Sequence, residues 1–117
     1  VAFYFTKDKK GEFFDSYGQS PELYTVTFKE FVRDNSQEWT YNRKELQSIN
    51  SSVCGQYCVF YAILRCRGNS MEAIVRHFSK QRQLNDAFVD EFVNKYFPFS
   101  NKNVNRNKQI SFPYTRK

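Results

Sequence analysis

The run of apolar residues from 54 to 67 constrains the fold of this chain more than any other feature of its sequence. Its apolar side chains recur at helical spacing and cover most sides of the helix that they predict. Such a helix must be covered by other elements, so we expect it to be the central buried helix of the domain. The pattern is carried by Cys58, Val59, Phe60, Tyr61, Ala62, Ile63, Leu64 and Cys66.

Shorter patterns on either side predict the remaining elements. Two aromatic segments, 1–5 and 12–15, flank a charged stretch containing Gly11 and predict a β-hairpin. The other expected elements are a short helix at 26–32, a strand at 38–42, a helix from a capping box at Asn69 and Glu72 to about Lys80, and a helix at 84–96 capped by Asn85 or Asp86 and stopped by Pro98.

The net charge of +6 on this 117-residue chain lies mainly at one end. Residues 98–117 hold five basic residues and no acid, whereas residues 1–97 hold 13 basic and 12 acidic residues. We therefore expect a nearly neutral domain over 1–97 and a basic, Asn-rich flexible tail over 98–117. The 13 Phe and 8 Tyr residues suffice for one core, which excludes wholesale disorder, and the length excludes two independent cores. The tail either keeps the protein soluble or contacts DNA phosphates.

The three cysteines, Cys54, Cys58 and Cys66, lie within 13 positions of one another. An odd number in so short a span is a poor disulfide framework, so we expect reduced thiols in an intracellular compartment. Their spacing to His77 is not a usual zinc pattern, and we expect no metal. Cys58 and Cys66 fit buried structural cysteines on the helix. No run is long enough to span a bilayer, and no secretory leader precedes a cleavage site.

Cys54 falls where a polar loop meets the predicted helix. Unpaired N–H groups and the helix dipole favour a thiolate there, so Cys54 can be a nucleophile, although a lone cysteine is more often structural. Gln47, seven residues upstream, can deliver a side-chain N–H beside the backbone N–H of Cys54, as an oxyanion hole requires. Asp15, at the end of a predicted strand, can orient an imidazolium, whereas Ser16 is expected to cap or form a turn.

The sequence resembles the adenovirus-type cysteine proteases (adenains), including relatives encoded by virus-like DNA transposons. The resemblance covers about residues 1–80 and is carried by the strand at 1–5, by Phe14-Asp15-Ser16-Tyr17-Gly18 and by Gln47-x6-Cys54-Gly55-Gln56-Tyr57-Cys58. It implies an α+β, papain-like fold in which a mixed sheet packs on a central helix that starts at the nucleophile. The roles it implies are Asp15 as the acid, Gln47 as the oxyanion donor and Cys54 as the nucleophile.

The same resemblance implies a cysteine endopeptidase that cuts capsid-type precursors or ubiquitin-like conjugates next to small residues such as Gly. It also implies a location in the nucleus or in virions and DNA as an activator, with no other cofactor. The family's general base belongs to a His-Trp pair just before the strand at 1–5, so we expect the fold to be incomplete at its N-terminus and the chain to be inactive or nearly so. The adenovirus enzyme has Glu where this chain has Asp15. No cysteine precedes Cys54, which argues against activation by a disulfide-bonded peptide.

Two other residues, His77 and Trp39, are candidates for a functional role. His77, the only histidine, would lie level with about residue 60 in an antiparallel helix pair, roughly 9 Å along the axis from Cys54, and is expected to be a packed or surface residue. Trp39 is expected in the core or on a strand face, with a place in the substrate groove as the alternative. The alternative to a protease is a degenerate, non-catalytic module that binds nucleic acid or protein through the basic tail.

Overall fold

The computed structural model describes residues 1–98. Within that range three strands and four helices follow one another along the chain. They are β1 (Ala2–Phe5), β2 (Lys10–Phe14), α1 (Val26–Asp34), β3 (Glu38–Tyr41), α2 (Cys54–Cys66), α3 (Met71–Arg76) and α4 (Arg82–Tyr96). A short 3-10 helix, Pro21–Leu23, precedes α1.

The three strands form one mixed sheet in the order β1-β2-β3. β1 and β2 form the expected antiparallel hairpin, with Ala2 opposite Phe14 and Phe5 opposite Gly11. β3 pairs parallel to β2, and α1 lies on the crossover between them, as a parallel connection requires. The expected α+β class with a mixed sheet is therefore confirmed.

Successive side chains of β2 point to opposite faces of the sheet and bring a helix to each face. On one face, the Phe13 ring lies 6.1 Å from the Phe28 ring of α1. On the other, the Phe14 ring stacks on Tyr61 of α2 with centroids 4.5 Å apart. The sheet thus lies between α1 and α2, and the start of α2 is fixed relative to the end of β2.

The helix α4 and the segment that precedes it pack on α2 through an aromatic cluster centred on Phe60, which is buried. Its ring contacts Phe78 at 5.4 Å, Phe88 at 5.3 Å and Phe92 at 5.0 Å, all in edge-to-face geometry. Edge-to-face contacts of this kind are favoured by the ring quadrupole. They hold the middle of α4 against the middle of α2.

The buried face of α2 differs from the one that its apolar pattern predicted. Tyr57, Phe60 and Tyr61 are buried, but Cys58 is only half-buried and Cys66 is exposed. The prediction that Cys58 and Cys66 are buried structural cysteines is therefore wrong for Cys66 and only partly right for Cys58. The physical reason is that α2 meets the sheet on one side and α3 and α4 on another, so its outer side stays accessible among residues 1–98.

Two of the predicted helix ends are also wrong. α3 ends at Arg76 rather than near Lys80, and its cap is Ser70, whose hydroxyl accepts a hydrogen bond from the Ala73 N–H at 3.1 Å. The Asn69 side chain instead donates to Leu64 O at the end of α2.

The helix α4 starts at Arg82, two residues before its predicted start. Asn85 and Asp86 therefore lie inside the helix instead of capping it. Asn85 is buried, and both side chains form hydrogen bonds with residues outside α4. No helix among residues 1–98 is long and apolar enough to cross a membrane. The predicted tail lies, from residue 99 onward, outside the described residues.

Candidate active site

Asp15 follows the last residue of β2 and is almost completely buried, with 3% of its surface exposed. Its Oδ1 accepts the Tyr17 N–H at 3.2 Å. Its Oδ2 accepts the Gln19 N–H at 3.0 Å and the Tyr24 hydroxyl at 2.8 Å. A carboxylate offers about four acceptor positions, so one position on Oδ1 remains for a further donor. The acid is thus held in one orientation with a single free acceptor position.

Asn42 holds the backbone of Asp15 from the end of β3. Its Oδ1 accepts the Asp15 N–H at 2.9 Å, and its Nδ2 donates to Asp15 O at 2.6 Å. The Asn42 amide therefore forms the two backbone hydrogen bonds with Asp15 that a residue of a neighbouring strand would otherwise form. No pattern in the sequence singles out Asn42, although an Asn directly after a strand is a typical place for such a contact.

Gln47 has no exposed surface. The Ser16 hydroxyl donates to its Oε1 at 2.6 Å. Its Nε2 donates to Ser51 O at 3.1 Å and to Ser51 Oγ at 2.9 Å. The donor end of this amide therefore points at the turn that leads into Cys54, three residues further along the chain.

Cys54 is the first residue of α2 and is exposed. The preceding residue, Val53, has no polar side-chain atom with which to cap the helix, so the N–H groups of the first turn point outward without a side-chain cap. Beside them, Gly55 is exposed, and a Cβ added there would meet no other atom within 4 Å among the described residues. The nucleophile candidate thus lies at an open helix N-terminus.

Two tyrosines, Tyr17 and Tyr24, lie near both Asp15 and Cys54. Burial raises the pKa of Tyr17 above its ordinary value, and nearby negative charge raises it further. The neighbouring acidic groups are the side chains of Cys54, Asp86, Asp15 and Glu45. The pKa of Tyr24 is likewise raised, mainly by burial and by its hydrogen bond to Asp15, with smaller contributions from neighbouring groups that include the Cys54 side chain. Both hydroxyls therefore lie within electrostatic reach of Cys54 and of Asp15.

The loop that carries Gln47 is attached to α4 through side chains that the sequence analysis interpreted as helix caps. Asn85 Nδ2 donates to Leu46 O at 3.0 Å. Asp86 accepts the Tyr57 hydroxyl at 2.7 Å and the Ser48 hydroxyl. The residues on either side of Gln47 are thus fixed to α4 and, through Tyr57, to α2.

His77 is exposed at the end of α3 and contacts Phe60, with ring centroids 6.3 Å apart. This contact agrees with the prediction that His77 lies level with about residue 60 of α2. Phe60 is six residues after Cys54, so His77 lies about 9 Å further along the helix at 1.5 Å per residue. As the only histidine of the chain, it is not placed to take a proton from Cys54.

Trp39 is half-buried on β3 and borders a shallow groove of about 280 Å³. None of the three predicted site residues lines this groove, which supports the interpretation of Trp39 as a strand-face residue. The groove is lined by Lys10, Gly11, Glu12, Glu38, Trp39 and Thr40.

The structure therefore brings the three predicted residues to one region, where the end of β2, the loop 42–53 and the start of α2 meet. Within residues 1–98, no three side chains of the His, Cys, Asp or Glu type are grouped to hold a metal ion. The arrangement combines an exposed thiol, amide donors aimed at the turn before it, and a fixed carboxylate with one open acceptor position. These are components of nucleophilic acyl transfer.

A scan of the chain against models of protein families finds no match, and searches of curated proteins and of solved structures find none either.

Proposed function

We propose that this protein is a cysteine endopeptidase of the adenain type, with Cys54 as nucleophile, Gln47 as oxyanion donor and Asp15 as the acid that orients the base. The observation that carries the proposal is the buried Gln47 amide, whose Nε2 is directed at Ser51 in the turn before Cys54. A buried amide whose donor end faces the turn just before an exposed thiol supports this assignment, because acyl transfer needs an N–H donor close to the nucleophile. The papain-like fold is part of the same proposal.

In the proposed reaction, the Cys54 thiolate attacks the carbonyl carbon of a peptide bond, and the electron pair of the C=O bond moves to oxygen. The resulting oxyanion accepts hydrogen bonds from the Cys54 N–H and from Gln47 Nε2. The C–N bond then breaks, the amine leaves with a proton from the base, and a thioester remains on Cys54 until water hydrolyses it.

The hydrogen bonds of Gln47 set one condition on this reaction. Nε2 carries two hydrogens, and Ser51 O and Ser51 Oγ are their acceptors. An oxyanion must therefore replace or share the Ser51 Oγ contact. Because a hydroxyl can rotate and also donate, this exchange requires only a local movement of the Ser51 side chain.

The base is the part that residues 1–98 do not supply, since His77 contacts Phe60 rather than the thiol. In the proposal an imidazole from outside these 117 residues occupies the open acceptor position of Asp15 Oδ1. We accordingly expect the 117-residue chain alone to have little peptidase activity, because loss of one member of a catalytic unit lowers the rate by several orders of magnitude. The resemblance further leads us to propose capsid-type precursors or ubiquitin-like conjugates as substrates, with cleavage next to Gly, and DNA contact through the basic tail.

The test is a peptidase assay on the chain extended upstream in its own reading frame, with a peptide that contains Gly-Gly before a fluorescent amine. We expect Cys54→Ser to abolish cleavage and Cys66→Ser, at the other end of the same helix, to leave it unchanged. Asp15→Asn is expected to lower kcat by about a hundredfold or more, since the acid orients the base. Cleavage that survives Cys54→Ser would overturn the proposal.

One observation favours a second candidate, the non-catalytic binding module. Both hydrogens of Gln47 Nε2 already have acceptors in Ser51, so the amide is satisfied without any substrate. In that case the extended chain would cleave nothing, and Cys54 and Cys66 would react with a thiol reagent at equal rates.

A further inference from the structure

Ser16 lies between the acid and the oxyanion donor and is fixed to both. It follows Asp15 directly and has only 2% of its surface exposed. Its carbonyl oxygen accepts the N–H of Leu46 at 2.8 Å and that of Gln47 at 3.1 Å. Its hydroxyl donates to Gln47 Oε1 at 2.6 Å. Backbone and side chain of this one serine therefore both bind Gln47, whereas the sequence alone predicts only a residue that caps or forms a turn.

The orientation of the Gln47 amide depends on what lies at its two ends. A side-chain amide is nearly symmetric in shape, so its hydrogen-bond partners decide where the nitrogen points. Ser51 O can only accept and therefore requires Nε2 on its side. The Ser16 hydroxyl gives Oε1 a donor on the opposite side, at a position without exposed surface.

Without that hydroxyl, Oε1 would be a buried acceptor that no longer has a partner. Such a group carries its full desolvation penalty, which favours other rotamers of the Gln47 side chain. Donation into Oε1 also polarises the amide, which strengthens Nε2 as a donor, as in other hydrogen-bond chains. Both effects act at the atom that would bind the oxyanion.

We propose that Ser16 is a positioning residue for Gln47: its hydroxyl fixes the amide so that Nε2 faces the turn before Cys54 and couples the oxyanion donor to the acid beside it. This inference rests on the proposed function. Ser16 touches neither substrate nor sulfur, so its effect should be visible only in steps that develop an oxyanion.

Two reactions of Cys54 separate positioning from simple loss of structure. A peptide aldehyde ending in glycinal adds reversibly to the thiol: the S–C bond forms, the C=O π bond breaks, and the oxygen becomes an oxyanion that takes up the thiol proton. Iodoacetamide alkylates the same sulfur by displacing iodide and forms no oxyanion. Only the first reaction should depend on Gln47, and neither requires a leaving-group acid.

The experiment measures both reactions on the 117-residue chain and on Ser16→Ala. We expect Ser16→Ala to weaken aldehyde binding about tenfold, which is less than the hundredfold or more typical of deleting an oxyanion donor outright. The alkylation rate at Cys54 is expected to change less than about twofold, because alkylation forms no oxyanion. Ser16→Thr, which keeps the hydroxyl, should restore aldehyde binding. The control is Ser52→Ala, an exposed serine two residues before Cys54 that should change neither reaction.

If Ser16→Ala does not fold, Ser16→Cys keeps the volume with a weaker donor and is expected to weaken aldehyde binding about threefold. The proposal is overturned if aldehyde affinity is unchanged in these variants, or if it falls together with alkylation. Failure of the proposed function has a different signature: the unmodified chain would bind the aldehyde no better than Cys54→Ala does, and the role of Ser16 would fall with it.

Discussion

The two halves of the candidate site differ in how completely the fold holds them. On one side, Asp15, Ser16 and Gln47 are 3%, 2% and 0% exposed, and each forms hydrogen bonds to other parts of the site. On the other, Cys54 and Gly55 are exposed at an open helix N-terminus. Under the proposed function, Asp15 and Gln47 are held in place before a substrate binds, whereas the Cys54 thiol stays accessible to it. Fixed dipoles beside an accessible nucleophile are what electrostatic preorganisation requires.

Gly18 lies next to the buried half of the site, which holds Asp15, Ser16 and Gln47, and its substitution is expected to cause the largest loss of stability. Its φ of +70° is unfavourable for other residues, and a Cβ there would lie 2.6 Å from the Lys44 backbone. We expect Gly18→Ala to lower the free energy of unfolding by about 3 kcal/mol, from strain and collision together. The measurement is urea unfolding followed by fluorescence of Trp39, the only tryptophan.

Gly68→Ala is the matched control for that experiment. Gly68 also has a positive φ, +94°, but a Cβ there would meet nothing within 4 Å among the described residues. The backbone strain alone should lower stability by about 1 kcal/mol. Equal losses in the two variants would show that Gly18 is not in a closely packed region.

Asn42 tests whether the acid is held through its backbone. Asn42→Ala removes both hydrogen bonds to Asp15, and we expect a loss of about 2 kcal/mol because part-buried backbone groups lose their partners. Asn35→Ala, which removes one exposed side-chain bond to Phe31 O, should lower stability by about 0.5 kcal/mol. If the two variants unfold at the same urea concentration, the hydrogen bonds from Asn42 to the Asp15 backbone contribute no more to stability than one exposed side-chain bond.

The buried tyrosines behind the site predict an alkaline limit to stability. Burial raises the pKa of Tyr57 and Tyr61, which are 0% and 1% exposed, and hydrogen bonds to Asp86 and Glu12 raise it further. The folded state therefore holds these phenol protons more tightly than the unfolded chain does. Their contribution to the free energy of unfolding is complete below the pKa of about 10 that tyrosine has in the unfolded chain. Above that pH it is lost by up to about 1.4 kcal/mol per pH unit for each tyrosine.

Unfolding measured between pH 9 and pH 11, with absorbance at 295 nm to follow tyrosinate, checks this expectation. Tyr61→Phe has no proton to lose and should make the decline less steep, while leaving the Arg65 to Glu12 ion pair in place. A decline of unchanged slope in Tyr61→Phe would contradict the assignment.

The exposed half of the site, at the start of α2, gives the smallest expected change in the free energy of unfolding, and this change is a gain. Gly55 has a helical position and free space where a Cβ would go, so Gly55→Ala should raise the free energy of unfolding by about 0.5 to 1 kcal/mol. Thermal unfolding of the variant measures it. A loss of stability would mean that the first turn of α2 is more enclosed than its exposure indicates.

Much of this fold could be predicted from local patterns in the sequence. The hairpin, α1, β3 and the central helix follow from spacing and turn chemistry, and the Gln47-x6-Cys54-Gly55 motif with Asp15 located the candidate site. What could not be predicted depends on pairs that are far apart in the chain. Asn42 reaches Asp15 across 27 residues, and Asp86 reaches Ser48 across 38. Side-chain chemistry alone assigned Asn85 and Asp86 to a helix start, because caps and long-range contacts use the same residue types.

The exposure of Cys66 was missed for a related reason. An apolar pattern shows which residues prefer burial, but the neighbours of α2 decide which of them achieve it. Within residues 1–98, those neighbours cover only the side that carries Tyr57, Phe60 and Tyr61.

The central claim is that Cys54 is an activated nucleophile, and Cys66 provides the comparison within the same molecule. Both thiols are exposed on α2, but Cys54 is at its N-terminus and Cys66 at its C-terminus, so the helix dipole acts on them with opposite sign. The measurement is the rate of iodoacetamide alkylation at each site at pH 7, resolved by peptide mass spectrometry. We expect Cys54 to react at least about tenfold faster than Cys66; equal rates, or a faster Cys66, would contradict the account.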